Sequence, residues 1–348
     1  MMAKFTYNKL LVEQIVYETA DARTYKLRTI DEDPLSWLPG QFLTLVFLKW
    51  GKEERRSYSI SSTPALQEPL SITVKRVPNG EYSRRIIETL QEGDELITTG
   101  VAGFFTLPPQ LERFQEFVFI CAGSGITPVL PIIKTLLHLH PGIRILLIYS
   151  NRSMDETLFY HQIMQLQTAH PKTFRVEMLF STSAELANAR LSNYWLETLL
   201  RRHHVSNNLA TLFYMCGPFD YMLMVNITLL AYGVPASNIR KEHFSTFKAP
   251  AREEPPDREP HTVKLIQGDK VHILQTQYPV SILQKALKSG LELPFSCEAG
   301  RCGTCVAKCI EGTVWMSNNE VLLDEEIRKG MILTCTGYPV QGNVVIEI

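Results

Sequence analysis

No apolar run in this 348-residue chain approaches the length of a membrane-spanning helix, and the start, Met1-Met2-Ala3-Lys4-Phe5-Thr6-Tyr7-Asn8-Lys9, lacks the apolar core of a signal peptide. A cytoplasmic protein with no membrane partner is the expectation. Charge imbalance is missing too: 35 Lys and Arg face 36 Asp and Glu, a net −1 at pH 7 with a pI near 6.8. That balance gives no electrostatic footprint for nucleic acid. Cysteine is scarce and odd in number, seven in all, which argues against a disulfide framework and for metal or redox use. There is no internal repeat, and the nine histidines, His203-His204 included, show no ligand spacing. What remains is a soluble globular composition, 45% hydrophobic and 20% charged, on a chain long enough for two or three cores.

Read in order, residues 1–112 are antiparallel β. Short runs such as Arg23 to Ile30, Gln41 to Trp50, Leu70 to Val77 and Glu95 to Thr99 are parted by Pro, Gly and acidic turns, with one helical segment from Ser83 to about Gln91. A small barrel closes such strands. Over 113–248 the pattern changes: apolar strands Phe117 to Ala122, Ile145 to Tyr149, Phe174 to Phe180 and Leu212 to Cys216 alternate with helical segments, which predicts a doubly wound parallel sheet. Residues 249–260 hold no branched apolar or aromatic side chain and are rich in proline, so they read as a semi-stiff exposed tether. Residues 261–348 form a third, compact domain.

That last domain carries Pro294-Phe295-Ser296-Cys297-Glu298-Ala299-Gly300-Arg301-Cys302-Gly303-Thr304-Cys305, answered by Leu333-Thr334-Cys335 on a later strand. Four residues separate Cys297 from Cys302 and two separate Cys302 from Cys305, the plant-type spacing for a 2Fe-2S cluster. Structural zinc is the rival, but it usually takes two close pairs, whereas three of these ligands share one loop. Gly300 and Gly303 give the loop freedom to fold its N–H groups over the sulfurs. Cys121 and Cys309 read as small packing residues.

Upstream, Arg55-Arg56-Ser57-Tyr58-Ser59-Ile60-Ser61-Ser62 could place a guanidinium, an aromatic ring and a hydroxyl against a phosphate and a flat heterocycle; a polar edge strand explains the segment equally well. Arg56-x-Tyr58-Ser59 resembles the flavin signature of the ferredoxin-NADP reductase family. Gly40-Gln41-Phe42 and Gly100-Val101-Ala102-Gly103-Phe104-Phe105 fall where that family has further signatures, with Val101 in place of the usual proline. The resemblance implies that Arg56 pairs with the flavin diphosphate, Tyr58 packs on the isoalloxazine and Ser59 sits near its N5, with Ser57 and Lys75 in the same set. Ser83 is a good N-cap, and Gly80 to Ser83, around Tyr82, matches the Gly-x-x-Ser element of members that hold FAD rather than FMN.

A strand runs into Gly123-Ser124-Gly125-Ile126-Thr127-Pro128, with Thr127 read as N-cap, Pro128 at the first helical position and Pro131 within the first turn. The segment resembles the family's nicotinamide-nucleotide diphosphate loop. Tyr149-Ser150-Asn151-Arg152-Ser153 ends the next strand without the acid of an NAD-type site; Arg152, helped by Ser181-Thr182-Ser183 and Arg190, could meet a 2′-phosphate, which leans toward NADPH over NADH, while a solvated loop arginine is the plain alternative. Cys216-Gly217-Pro218 resembles the family's Cys-Gly-Pro beside the nicotinamide C4, and Glu242-His243-Phe244 its closing Glu-x-Phe. The resemblance thus makes Ser59, Cys216 and Glu242 the residues at the reacting atoms.

Barrel, nucleotide domain and an α+β β-grasp ferredoxin domain, in that order, resemble the reductase components of multicomponent oxygenases. Those of phenylacetyl-CoA epoxidases stand nearest, and those of ring- and steroid-hydroxylating oxygenases share the architecture. The expected activity is electron transfer from NADPH or NADH through FAD and the 2Fe-2S cluster to an oxygenase. A Rieske oxygenase or a hybrid-cluster protein is an alternative acceptor, and a redox-sensing subunit without turnover is an alternative of another class. The 261–348 segment holds nine acids against eight bases, so it lacks the strong acidity of a free ferredoxin. A tether supplies a high effective concentration instead. A monomer is expected.

Overall fold

The computed structural model describes residues 7–31, 34–185, 189–244 and 254–348. It divides into two compact units, one comprising Tyr7–Val101 with Phe105–Phe244, the other containing the C-terminal residues. The boundary expected at 248 and the first half of the expected tether, 249–253, lie outside the described residues.

The first unit opens with strands β1 (Asn8–Thr19), β2 (Ala22–Thr29), β3 (Phe42–Lys49), β4 (Lys52–Ser59), β5 (Ser71–Lys75) and β6 (Glu95–Ala102), ordered β4-β3-β6-β1-β2-β5. Beyond β4 an antiparallel bridge from Ile60 to Ile72 and the Ser61 N–H to Ser71 carbonyl bond (2.8 Å) join the sheet's two edges into a barrel. Leu10, Tyr25, Leu43, Leu45, Ile60 and Ile72 fill its core. Helix α1 (Glu81–Thr89) adds Ile86 and Ile87, and Tyr25 Oη donates to the Ile86 carbonyl at 3.1 Å. The cap expected at Ser83 is corrected: Gly80 occupies the N-cap and Ser83 lies in the first turn. Side chains in a helix lean toward its N-terminus, so Ser83 Oγ reaches back, accepting from the Val77 N–H (3.1 Å) and donating to the Gly80 carbonyl (3.3 Å).

The same unit contains strands β7 (Glu116–Ala122), β8 (Arg144–Asn151), β9 (Phe174–Phe180), β10 (Thr211–Cys216) and β11 (Ile239–Glu242), all parallel in the order β11-β10-β7-β8-β9. Helices α2 (Ile126–Leu139) and α3 (Tyr160–Ala169) bury one face with Phe117, Phe119 and Leu147; α4 (Asn193–Arg202) and α5 (Phe219–Ala231) bury the other with Val118, Ile120 and Leu146. Both faces are covered, which is why these strands read as continuous apolar runs. Ala22 and Phe105 share the α2 core, and two polar contacts tie α2 to the segment after β4: Thr63 Oγ1 to Thr135 Oγ1 at 2.7 Å, and Lys134 Nζ to both Glu68 carboxylate oxygens at 2.6 and 2.7 Å. Gly123–Gly125 wind as a 3-10 turn directly into α2, so the helix starts at Ile126, two residues before the expected first helical position, Pro128. Thr127 is therefore not the cap but sits in the first turn, its Oγ1 donating to the Ser124 carbonyl at 2.9 Å, and Pro131 lies in the helix interior.

In the C-terminal unit, β12 (His261–Gln267), β13 (Lys270–Thr276), β14 (Val306–Met316), β15 (Met331–Leu333) and β16 (Gly337–Glu347) form a mixed sheet ordered β13-β12-β16-β14-β15, in which β12 and β16 run parallel and the other pairs antiparallel. Helix α6 (Ile282–Lys288) starts at a Ser281–Gln284 capping box and packs Ile282, Leu283 and Ala286 on the sheet; α7 (Asp324–Arg328) precedes β15. Two expectations change here. Cys335 is not on a strand but in the turn between β15 and β16. The tether's second half is docked: Pro255 is buried, and Asp257 accepts from the Gln341 N–H and from His261 Nε2 (3.0 Å). A carboxylate with backbone and imidazole donors holds this proline-rich stretch without any apolar core of its own.

Candidate cofactor sites

Residues of the flavin signature lie on β4 and its neighbours. The Arg56 guanidinium stacks 4.4 Å over the Tyr82 ring in the first turn of α1 and pairs with Glu54 at 2.7 Å. Tyr82 meets Phe47 at 4.6 Å between centroids. Among the described residues no side chain makes a cap bond at Gly80, so the α1 N-terminus beside the Arg56 guanidinium is a donor set that suits a diphosphate. Ser57 Oγ bonds Thr44 Oγ1 at 2.9 Å, Tyr58 is half-buried with its phenol pKa pushed up by burial, and Lys75 ends β5.

At the C-terminal ends of the parallel strands, Ser59, Cys216 and Glu242 converge from three elements that are far apart in the chain. Register pairs Cys216 with Glu242 on adjacent strands, and Ser59 Oγ donates to Glu242 Oε1 at 3.3 Å. Burial raises the Glu242 pKa to about 8, against a smaller opposing effect of the Ser59 bond. Glu242 Oε2 is buried with no hydrogen-bond partner among the described residues, an acceptor or, when protonated, a donor open to a further polar group. The Cys216 thiol is fully buried and its pKa is raised by burial, so it stays neutral. Above them, Gly125 packs so closely on β10 that a Cβ would lie 2.1 Å from the Cys216 carbonyl oxygen. Glycine is required there to bring the Gly123–Gly125 turn onto the Cys216-Gly217-Pro218 turn, and the residues fit a dinucleotide laid across both. Phe244, at the chain's exit from this site, is 45% exposed.

The four cysteines of the C-terminal unit stand as two pairs, Cys297 with Cys302 and Cys305 with Cys335, each within hydrogen-bonding reach. Two pairs suit the two irons of a 2Fe-2S cluster, one pair to each iron. Hydrogen bonding from Cys302, helped by the N–H groups of Ala299, Arg301 and Cys302 and opposed by burial, holds the Cys297 thiol below the ordinary cysteine range and favours its thiolate. The loop is braced from behind: Arg301 Nε meets Glu320 Oε1 at 3.0 Å, Asn318 Nδ2 donates to the Ala299 carbonyl at 2.7 Å, and Thr334 Oγ1 donates to the Cys305 carbonyl at 3.0 Å. Gly300 takes φ +73° with its Cβ position 2.6 Å from the Asn318 carbonyl, so no other residue fits that turn without shifting the backbone.

Comparison with known proteins agrees along the whole chain. Residues 9–107 match the oxidoreductase FAD-binding domain, 119–226 the oxidoreductase NAD-binding domain and 267–340 the 2Fe-2S iron-sulfur cluster binding domain. The chain is 31% identical to one of the subunits of the 1,2-phenylacetyl-CoA epoxidase of Escherichia coli, over 98% of both chains. The chain belongs to the family of oxygenase reductase components. The ferredoxin reductase component of 3-ketosteroid-9-alpha-monooxygenase from Rhodococcus rhodochrous is 30% identical over 97% of this chain and 96% of its own. Among solved structures, phthalate dioxygenase reductase shares the fold with a TM-score of 0.59 at 23% identity over 98% of both chains. An intact type IV self-sufficient cytochrome P450 monooxygenase aligns at TM-score 0.75 and 20% identity over 98% of this chain; the chain spans 41% of that protein's length. This oxygenase reductase is an oxidoreductase with FAD-binding, NAD-binding and 2Fe-2S domains.

Other sequence candidates sit at the edge of these sites. Arg152 is largely exposed and faces Glu156 at 3.6 Å, while its carbonyl accepts from the Thr182 N–H (3.1 Å) and Oγ1 (2.8 Å), bringing the ends of β8 and β9 together; Arg190 is exposed. Cys121 is fully buried, and Cys309 is half-buried, its thiol directed at the Glu311 carbonyl. Sequence reasoning missed Lys134 and Glu68, 66 positions apart, and the Arg301–Glu320–Asn318 brace.

Proposed function

We propose that this reductase takes two electrons as hydride from a nicotinamide nucleotide, NADPH in preference to NADH, and hands them on one at a time to an oxygenase of the phenylacetyl-CoA epoxidase type, a di-iron enzyme. The similarity to the Escherichia coli epoxidase component along 98% of both chains carries this reading. A ketosteroid monooxygenase is the second reading, on 30% identity over nearly the same span.

Bound flavin accepts hydride and releases electrons singly, and a 2Fe-2S cluster accepts one electron at a time. The chain's contribution is alignment. Gly123, Ser124 and Gly125 hold the diphosphate at the start of α2, Gly217 and Pro218 shape the opposite wall, and Thr127 and Pro128 brace the first turn. Ser59 and Cys216 flank the hydride acceptor and donor positions. Glu242 is mostly protonated at pH 7, so it offers the nicotinamide end a neutral carboxyl and no repelling charge. Arg56, Tyr82 and the α1 N-terminus hold the flavin diphosphate, and Arg152 meets the 2′-phosphate. Cys297, Cys302, Cys305 and Cys335 ligate the irons. The barrel ends at about 112, the nucleotide domain at about 248 and the tether at 260. The protein works in the cytoplasm as a monomer, with no nucleic-acid or membrane partner; among its described residues no helix is long and apolar enough to cross a membrane.

The test is reconstitution. Purified protein, NADPH and the purified oxygenase subunits of a phenylacetyl-CoA epoxidase should convert phenylacetyl-CoA to its epoxide. Failure there, with turnover of a steroid in the presence of a ketosteroid oxygenase, would reassign the partner.

A further inference from the structure

The β3–β4 hairpin closes with two residues, Trp50 at φ 50° and Gly51 at φ 75°, between the directly opposed Lys49 and Lys52. Both central residues of such a turn need positive φ, and Asn-Gly or Gly-Gly normally supplies it. A bulky aromatic in the left-handed region is an outlier, and like charges facing each other across the last rung add repulsion. Trp50 is also 92% exposed, so burial does not offset either cost. Three locally unfavourable choices at one hairpin tip point to a ligand that uses them.

The tip's position says which ligand. Lys49 Nζ lies 4.8 Å above the Trp50 ring and pairs with Glu81 Oε2 at 2.7 Å, in the first turn of α1. The next residue, Tyr82, lies under Arg56 and against Phe47. Trp50 is thus one side chain away from the guanidinium and helix start that hold the flavin diphosphate in the reading above, on which this inference rests. We propose that Trp50 is the stacking platform for the adenine of FAD, with Lys49 and Lys52 supplying positive charge to the adenosine phosphate. An exposed indole face suits a flat heterocycle, and a fixed aromatic costs little conformational entropy on binding. FMN has no adenine, so the tip distinguishes the two flavins by binding only the longer one.

The experiment uses the full-length protein, stripped of flavin and titrated separately with FAD and with FMN by flavin fluorescence. Trp50→Ala should weaken FAD about tenfold, in the range of base stacking on aromatic side chains, and leave FMN affinity unchanged. Trp50→Phe should keep most of the FAD affinity. Trp50→Asn should lose it to the same extent as Trp50→Ala while the flavin-free protein melts no lower than wild type, because Asn tolerates the left-handed turn. FAD affinity unaffected by Trp50→Ala would overturn the proposal, as would equal losses of FAD and FMN, which would mark a structural role. If Trp50→Ala binds FAD normally but fails to support the oxygenase, the tip serves a protein partner and the proposal falls. A wild-type protein that binds FMN as tightly as FAD would overturn the FAD reading itself along with the stacking.

Discussion

The end of the parallel sheet in the first unit and the cysteine loop of the C-terminal unit are both candidate cofactor sites, but they are made of different materials. At the end of the parallel sheet the work is done by backbone: a glycine turn, a helix start and a close approach of Gly125 to the Cys216 carbonyl, with buried Ser59 and Glu242 placed by strand register. In the C-terminal unit the proposed ligands are four cysteine side chains, and the backbone around them is bent and braced. A backbone site tolerates most changes of side chain and fails when a Cβ intrudes. A side-chain site fails with any one ligand and is indifferent to most of its surroundings.

That contrast can be probed in descending steps. Cys302→Ser should remove the cluster's visible absorption altogether while FAD remains stoichiometric, since one lost thiolate leaves an iron without its ligand. Gly125→Ala should lower kcat/KM for the nicotinamide nucleotide by about 100-fold with the cluster absorption untouched, because a displacement near 1 Å at a reacting site costs about that much. Lys134→Ala leaves the partly buried Glu68 without its cation and should cost the first unit about 3 kcal/mol in urea unfolding, again without altering the cluster. The mildest effect belongs to Glu242. Its carboxyl is protonated below about pH 8 and ionised above, so hydride transfer in the wild type should decline as pH rises through 8. Glu242→Gln, neutral throughout, should keep a rate within about tenfold of wild type and show no such decline. A wild-type profile flat across that range would show that the protonated form of Glu242 has no part in hydride transfer.

The candidate cofactor motifs are more legible in the sequence than their structural supports, for physical reasons. Cysteine spacing and the Gly-Ser-Gly turn are local, so the chain shows them directly. The apolar runs of β7 to β10 are equally plain, because both faces of a parallel sheet are buried. Strand β1 was not legible: it carries bulges between Val12 and Gln14 and between Tyr17 and Thr19, which break the alternation that marks a strand. Strand β4 begins Lys-Glu-Glu-Arg-Arg, a composition closer to a loop. Ser83 and Thr127 carry the chemistry of caps yet lie inside their helices, since a glycine in each case takes the cap position and their hydroxyls reach back to the preceding turn. Asp257's hold on Gln341, like the Lys134–Glu68 pair, joins residues far apart in the chain and leaves no periodic trace.

The proposed order of electron flow, from nicotinamide through flavin to cluster and out, can be tested on the Cys302→Ser protein by two rates measured side by side with NADPH. One is ferricyanide reduction, which flavin alone can support; the other is cytochrome c reduction, which needs the one-electron exit. Ferricyanide reduction close to wild type with cytochrome c reduction abolished is the predicted result. Equal loss of both rates would contradict it.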